Sequence, residues 1–98
     1  MTKLLPQDQI DESMLMLNEW TLEDNDVGQL VKEIEFKTPS EAFKLIEKIG
    51  QVSEKIGQTP DILMHSNGKF VEIMITDYDY EGITQICIDL AFEIDGVL

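Results

Sequence analysis

The chain has 98 residues, 43% of them apolar, and a formal net charge of -13, with lysine supplying all seven cations. Without arginine the chain lacks guanidinium forks for phosphates or guanine edges. Its field repels polyanions, which argues against nucleic acid and against an anionic membrane surface. The length fits a single domain over residues 1–98 with one small core, a size at which self-association is an economical way to bury more surface.

After Pro6, the apolar residues Ile10, Met14 and Leu17 recur at helical spacing, with Asp8, Asp11 and Glu12 near the start, so a first helix is predicted to end before Trp20. Trp20 to Glu23 reads as a short strand, Asp24 to Gly28 as a turn, and Gln29 to Phe36 as a second strand. In that strand Leu30, Ile34 and Phe36 fall on one face and Glu33 and Glu35 on the other. Thr38-Pro39-Ser40-Glu41 is a helix start, with threonine at the cap, proline at the first helical position and glutamate three residues after the cap. Ala42, Ile46, Ile49, Ser53 and Ile56 form the stripe of this second helix, flanked by Phe43, Leu45 and Val52, and Gly57 suits a left-handed end.

Two apolar runs, Ile62 to His65 and Phe70 to Thr76, flank Asn67-Gly68, a pair that favours a hairpin turn. From Thr84, a cap residue, Ile86, Leu90 and Ile94 return to helical spacing, with Ile83, Ile88, Ala91 and Phe92 widening the apolar surface toward either a subunit interface or further core. The order helix-strand-strand-helix-strand-strand-helix gives an α+β fold: a four-stranded antiparallel sheet with three helices on one face. The open face and edges of such a sheet invite a partner.

Cys87 is the sole cysteine, so no intramolecular disulfide forms, and no paired Cys/His spacing suggests zinc; no metal is expected. No signal peptide or membrane-spanning run is read, and a cytoplasmic, reducing location is expected.

The segment Glu54-Lys55-Ile56-Gly57-Gln58-Thr59-Pro60-Asp61, with Thr76-Asp77 and Gly82-Ile83-Thr84 behind it, resembles the signature of the pterin-4a-carbinolamine dehydratase family. In that family two adjacent histidines precede the proline and a third follows the threonine. Here those places hold Gln58, Thr59 and Asp77, and Cys87 stands where an acidic residue is usual, with Asp89 two residues later on another helix face. Ile62 replaces a tryptophan and His65 or Ser66 a tyrosine, so a stacking partner for a flat pterin is weakened, whereas Trp20 matches the tryptophan after the first helix. The resemblance implies a subunit that pairs through strands into a dimer with an eight-stranded sheet, often a dimer of dimers. It also implies catalysis by imidazoles that shuttle protons as water leaves a 4a-carbinolamine, without metal or separate cofactor.

Imidazole titrates near neutrality, whereas amide, hydroxyl and ordinary carboxyl groups do not, so the replaced positions predict a degenerate pocket with no catalytic residue. Glu54, Pro60 and Thr76 persist as its frame. Besides a stand-alone module that binds a pterin or other small ligand without turnover, two functions follow from the resemblance. One is a non-enzymatic binding or assembly protein whose acidic faces hold a client with a basic surface, RuBisCO of the α-carboxysome being the example within the family; the acidity otherwise serves solubility alone. The other is a weak or altered dehydratase using Asp77 or Glu54 to carry protons while Thr59 or Gln58 orients substrate. His65, near the hairpin tip, is read as an exposed turn residue.

Overall fold

A computed structural model describes residues 3–24 and 27–98. The elements run α1 (Gln7–Met14), β1 (Thr21–Asp24), β2 (Gly28–Glu35), α2 (Pro39–Ile56), β3 (Asp61–His65), β4 (Phe70–Ile75) and α3 (Gln85–Asp95). This is the order read from the sequence. The turn expected between Asp24 and Gly28 includes Asn25 and Asp26, which lie outside the described residues.

All strand pairs are antiparallel, in the spatial order β1-β2-β4-β3. Side chains alternate across a strand, so register decides which residues share a face. The pairs Leu22↔Leu30, Leu30↔Ile75, Ile34↔Val71, Ile62↔Ile73 and Met64↔Val71 put one apolar set on the helix side, where it joins Ile10 of α1, Leu45 and Ile49 of α2 and Leu90 and Ile94 of α3 in one core. Each large aliphatic side chain buried there contributes about 1.5–3 kcal/mol.

α2 begins and ends as its sequence dictates. The Thr38 hydroxyl accepts from the Glu41 amide at 3.3 Å, Pro39 occupies the first turn, and Gly57 closes the helix at φ 86°. Within the helix, buried Ser53 returns its hydroxyl to the Ile49 carbonyl at 2.7 Å, which lets a polar residue sit in the apolar stripe. Phe43 departs from expectation: it points to solvent, 60% exposed, because Ala42 and Leu45 carry the buried side of that turn.

The first helix stops at Met14, earlier than Leu17, yet Leu17 is buried through a turn. Glu19 at φ 66° then reverses the chain and drops Trp20 into the core ahead of β1. On the same side, buried Lys32 reaches the carboxylate of Asp95 at 3.0 Å and the Asn18 carbonyl at 3.2 Å, and Trp20 Nε1 donates to the same Asp95 oxygen at 2.8 Å. The cation therefore stays paired inside the core margin. The uncovered sheet face carries Glu23, Glu33, Glu35, Asp61 and Glu72 with Val31, Leu63, Phe70 and Met74, and no lysine among its strand residues. Among the described residues, no helix is long and apolar enough to cross a membrane.

Candidate functional site

Three chain segments converge where α2 ends, β4 ends and α3 begins. Gly57 turns the chain out of α2 so that Gln58 leaves toward β4, where its side-chain amide donates to the Thr76 carbonyl at 3.2 Å. Buried Pro60 then leads into β3. Thr76, at the end of β4, donates its hydroxyl to the Gly28 carbonyl at 2.7 Å, tying β4 to the start of β2.

Asp77 closes the loop that follows. Its backbone pairs with Gly82 in both directions, at 2.9 and 3.3 Å, and its carboxylate accepts from the Asp79 amide at 3.1 Å and the Thr84 hydroxyl at 3.0 Å. Thr84 thus differs from the cap expected of it. It stands at the position before α3 with extended backbone, but its hydroxyl turns to Asp77, the stronger charged acceptor, and makes no cap bond. Leu5 lays its amide on the Ile83 carbonyl at 2.9 Å and so brings the segment before α1 alongside the loop.

Between these segments lies an open cleft of about 600 Å³. Gln58 and Asp77 line it, joined by Lys3, Leu5, Asp79, Tyr80, Gln85 and Ile86. Two of the four replaced positions therefore face a common space. Thr59 is exposed and does not line the cleft, and Glu54 is exposed on the last turns of α2 and does not line it either.

Cys87 corrects the expectation that it belongs to the pocket. It is wholly buried behind Thr84, its sulfur 3.7 Å from that hydroxyl and 4.0 Å from the Gly82 carbonyl, and burial pushes its thiol pKa up. Residue 87 lies one helical step inward from Ile86, and the apolar face of α3 claims it. Tyr80 and Lys3 were not legible as site residues: neither carries a motif, and both arrive through loop geometry. Tyr80 supplies an aromatic ring beside the cleft although Ile62 does not.

The only histidine is elsewhere. His65 pairs with Phe70 at the start of β4, whereas Asp77 follows the end of that strand, about 20 Å away at the rise of a β-strand. Neither imidazole nor thiol reaches the cleft. What the cleft offers is two amides, Gln58 engaged with backbone and Gln85 donating to Asp89, a carboxylate that holds a loop together, a second acidic group at Asp79, one ammonium and one phenol ring.

Comparison with known proteins agrees with this architecture. Residues 3–97 match the family described as pterin 4 alpha carbinolamine dehydratase. A Nostoc punctiforme protein provisionally named pterin-4-alpha-carbinolamine dehydratase is 32% identical over 97 residues, covering 99% of both chains. A Prochlorococcus marinus protein with the same provisional name is 32% identical over 98 residues, covering 100% of this chain and 98% of its own. Among solved structures, a transcriptional coactivator/pterin dehydratase from Brucella melitensis superposes with a TM-score of 0.86 at 20% identity, covering 97% of this chain and 98% of that one. A pterin dehydratase-like protein that is a RuBisCO assembly factor in the α-carboxysome gives 0.67 at 17% identity, covering 82% and 89%. These structural likenesses establish the fold, and the match along nearly the whole sequence establishes descent: the chain belongs to the pterin 4 alpha carbinolamine dehydratase family.

Proposed function

We propose that this chain is a non-enzymatic, protein-binding member of its family, an assembly factor of the RuBisCO-assisting kind. The observation that carries the reading is the state of the cleft. Gln58 spends its amide on the Thr76 carbonyl, Asp77 spends its carboxylate on the loop, and no imidazole is present to move protons. General acid/base assistance is worth about 10² to 10⁴ in rate for each role, so its loss leaves little of the ancestral reaction.

The client is a protein with a basic surface. A net charge of -13 without arginine steers such a surface toward contact, and large side chains left in solvent, among them Phe43, Tyr78, Leu63 and Phe92, supply apolar contacts. RuBisCO enters as client through the likeness in fold to its α-carboxysome assembly factor. The outer sides of β1 and β3 have no strand beside them among the described residues, which suits strand pairing into a homodimer or a dimer of dimers. The working location is the cytoplasm, in association with carboxysomes, and no cofactor or catalytic metal takes part.

The test has two parts. Co-expression with RuBisCO large and small subunits is expected to raise the yield of soluble holoenzyme relative to the subunits alone, and an unchanged yield removes RuBisCO as the client. Purified protein is expected to leave 4a-carbinolamine dehydration at its spontaneous rate. A second reading, a slow dehydratase, is favoured by the survival of a roomy cleft with Asp77, Gln58 and Tyr80 on its wall. Turnover that disappears in Asp77→Asn, with the variant still folded, would establish it in place of the first.

A further inference from the structure

We propose that Glu33, His65 and Glu72 form a binding site for one divalent transition-metal ion, of the zinc class, on the uncovered face of the sheet. The three residues come from three adjacent strands, β2, β3 and β4, and their donor atoms all lie within 4.8 Å of one another. His65 Nε2 is already 3.0 Å from a Glu33 carboxylate oxygen. One imidazole nitrogen and two carboxylate oxygens are a donor set suited to zinc, and tetrahedral coordination at about 2.0–2.2 Å spaces neighbouring donors by roughly 3.4 Å. Rotation about the terminal torsions of two half-exposed glutamates covers the difference, and the remaining coordination positions face solvent.

Two features argue that this is more than three neighbours on a surface. The imidazole is held from both sides: its Nδ1 lies 2.9 Å from the Ser66 hydroxyl, and its ring stacks on Phe70 at 5.5 Å between centroids and 12° between planes. An outer partner on the second ring nitrogen orients the ring and aims Nε2 as a ligand. In addition, Glu33 and Glu72 are directly opposed in the β2–β4 register, a like-charge pair that destabilises a sheet unless a cation lies between. No strand residue on this face is a lysine that could serve. Ligand-spacing rules along the sequence miss such a site because its members are 33, 65 and 72, brought together only by register.

The experiment uses untagged full-length protein titrated with Zn²⁺ by calorimetry and with Co²⁺ by visible absorption, with Mg²⁺ as a control for diffuse attraction to an acidic surface. One equivalent of Zn²⁺ should bind, the His65 ring resonances should move with it, and Co²⁺ should develop a coordinated-ligand spectrum. His65→Ala and the near-isosteric Glu72→Gln should each abolish the one-equivalent site, and Ser66→Ala should weaken it about tenfold through loss of ring orientation. Circular dichroism of each variant shows that it is folded. Equal Zn²⁺ uptake by wild type and His65→Ala, or no uptake beyond that of Mg²⁺, overturns the proposal and leaves His65 and Glu33 as an ordinary surface ion pair.

Discussion

Thr84 donates its hydroxyl to the carboxylate of Asp77 at 3.0 Å, with both residues buried, so the two ends of the loop beside the cleft are fastened by side chains as well as by backbone. Removing the donor leaves a buried carboxylate oxygen without a partner. Thr84→Val is therefore expected to cost about 1–3 kcal/mol, read as a lower urea midpoint, with most of the loss recovered in Thr84→Ser. A Val variant as stable as wild type would mean that the bond is idle.

Lys32, Trp20 and Asp95 are expected to respond asymmetrically. Asp95→Ala leaves the buried ammonium with the Asn18 carbonyl but no counterion and the indole N–H with no acceptor, and about 3–5 kcal/mol should be lost. Lys32→Met replaces the cation by an apolar chain of similar reach and leaves Asp95, 27% exposed at its side chain, still bonded to Trp20. Its loss should be less than half as large. Chemical denaturation of the two variants decides the order.

Cys87 makes an alkaline prediction. Burial raises its pKa above the ordinary 9.0, so the folded protein retains the thiol proton at a pH where the unfolded chain has released it. Stability from this group is complete below pH 9.0 and declines as pH rises from there through the folded value. Cys87→Ala should lack that component of the decline, whatever its overall stability. In the native protein the thiol should resist alkylation at neutral pH and react at the rate of unfolding.

Two glycines should separate conformation from space. Gly57 and Gly68 both hold positive φ, 86° and 82°, which an alanine pays for with about 1–2 kcal/mol. A Cβ at Gly57 would meet nothing, whereas one at Gly68 would stand 2.9 Å from Pro39 Cβ. Gly68→Ala should therefore lower Tm clearly further than Gly57→Ala. Equal losses would mean that the hairpin turn moves freely away from the start of α2.

Much of this architecture is written locally. Thr38, Pro39 and Gly57 bound α2 by their own backbone chemistry, and Asn67-Gly68 marks the hairpin, so these elements were legible without tertiary information. The site was legible in part. Gln58 and Asp77 could be singled out because they stand where a family pattern expects other residues, but the destination of the Thr84 hydroxyl could not, since its partner lies seven residues back. The inward turn of Cys87 was not legible, because a family pattern gives a position along the chain and not the helix face. The buried pairing of Lys32 was not legible, because its counterion, Asp95, is 63 residues away in sequence.

The uncovered side of the sheet, with Glu23, Glu33, Glu35, Asp61 and Glu72 and no strand lysine, also bears on how copies of the protein meet. Two such faces laid together would crowd carboxylates against carboxylates, at a Coulomb cost that only concentrated salt could screen. The sheet thereby disfavours its own stacking, and a surface of opposite sign would meet it without that cost.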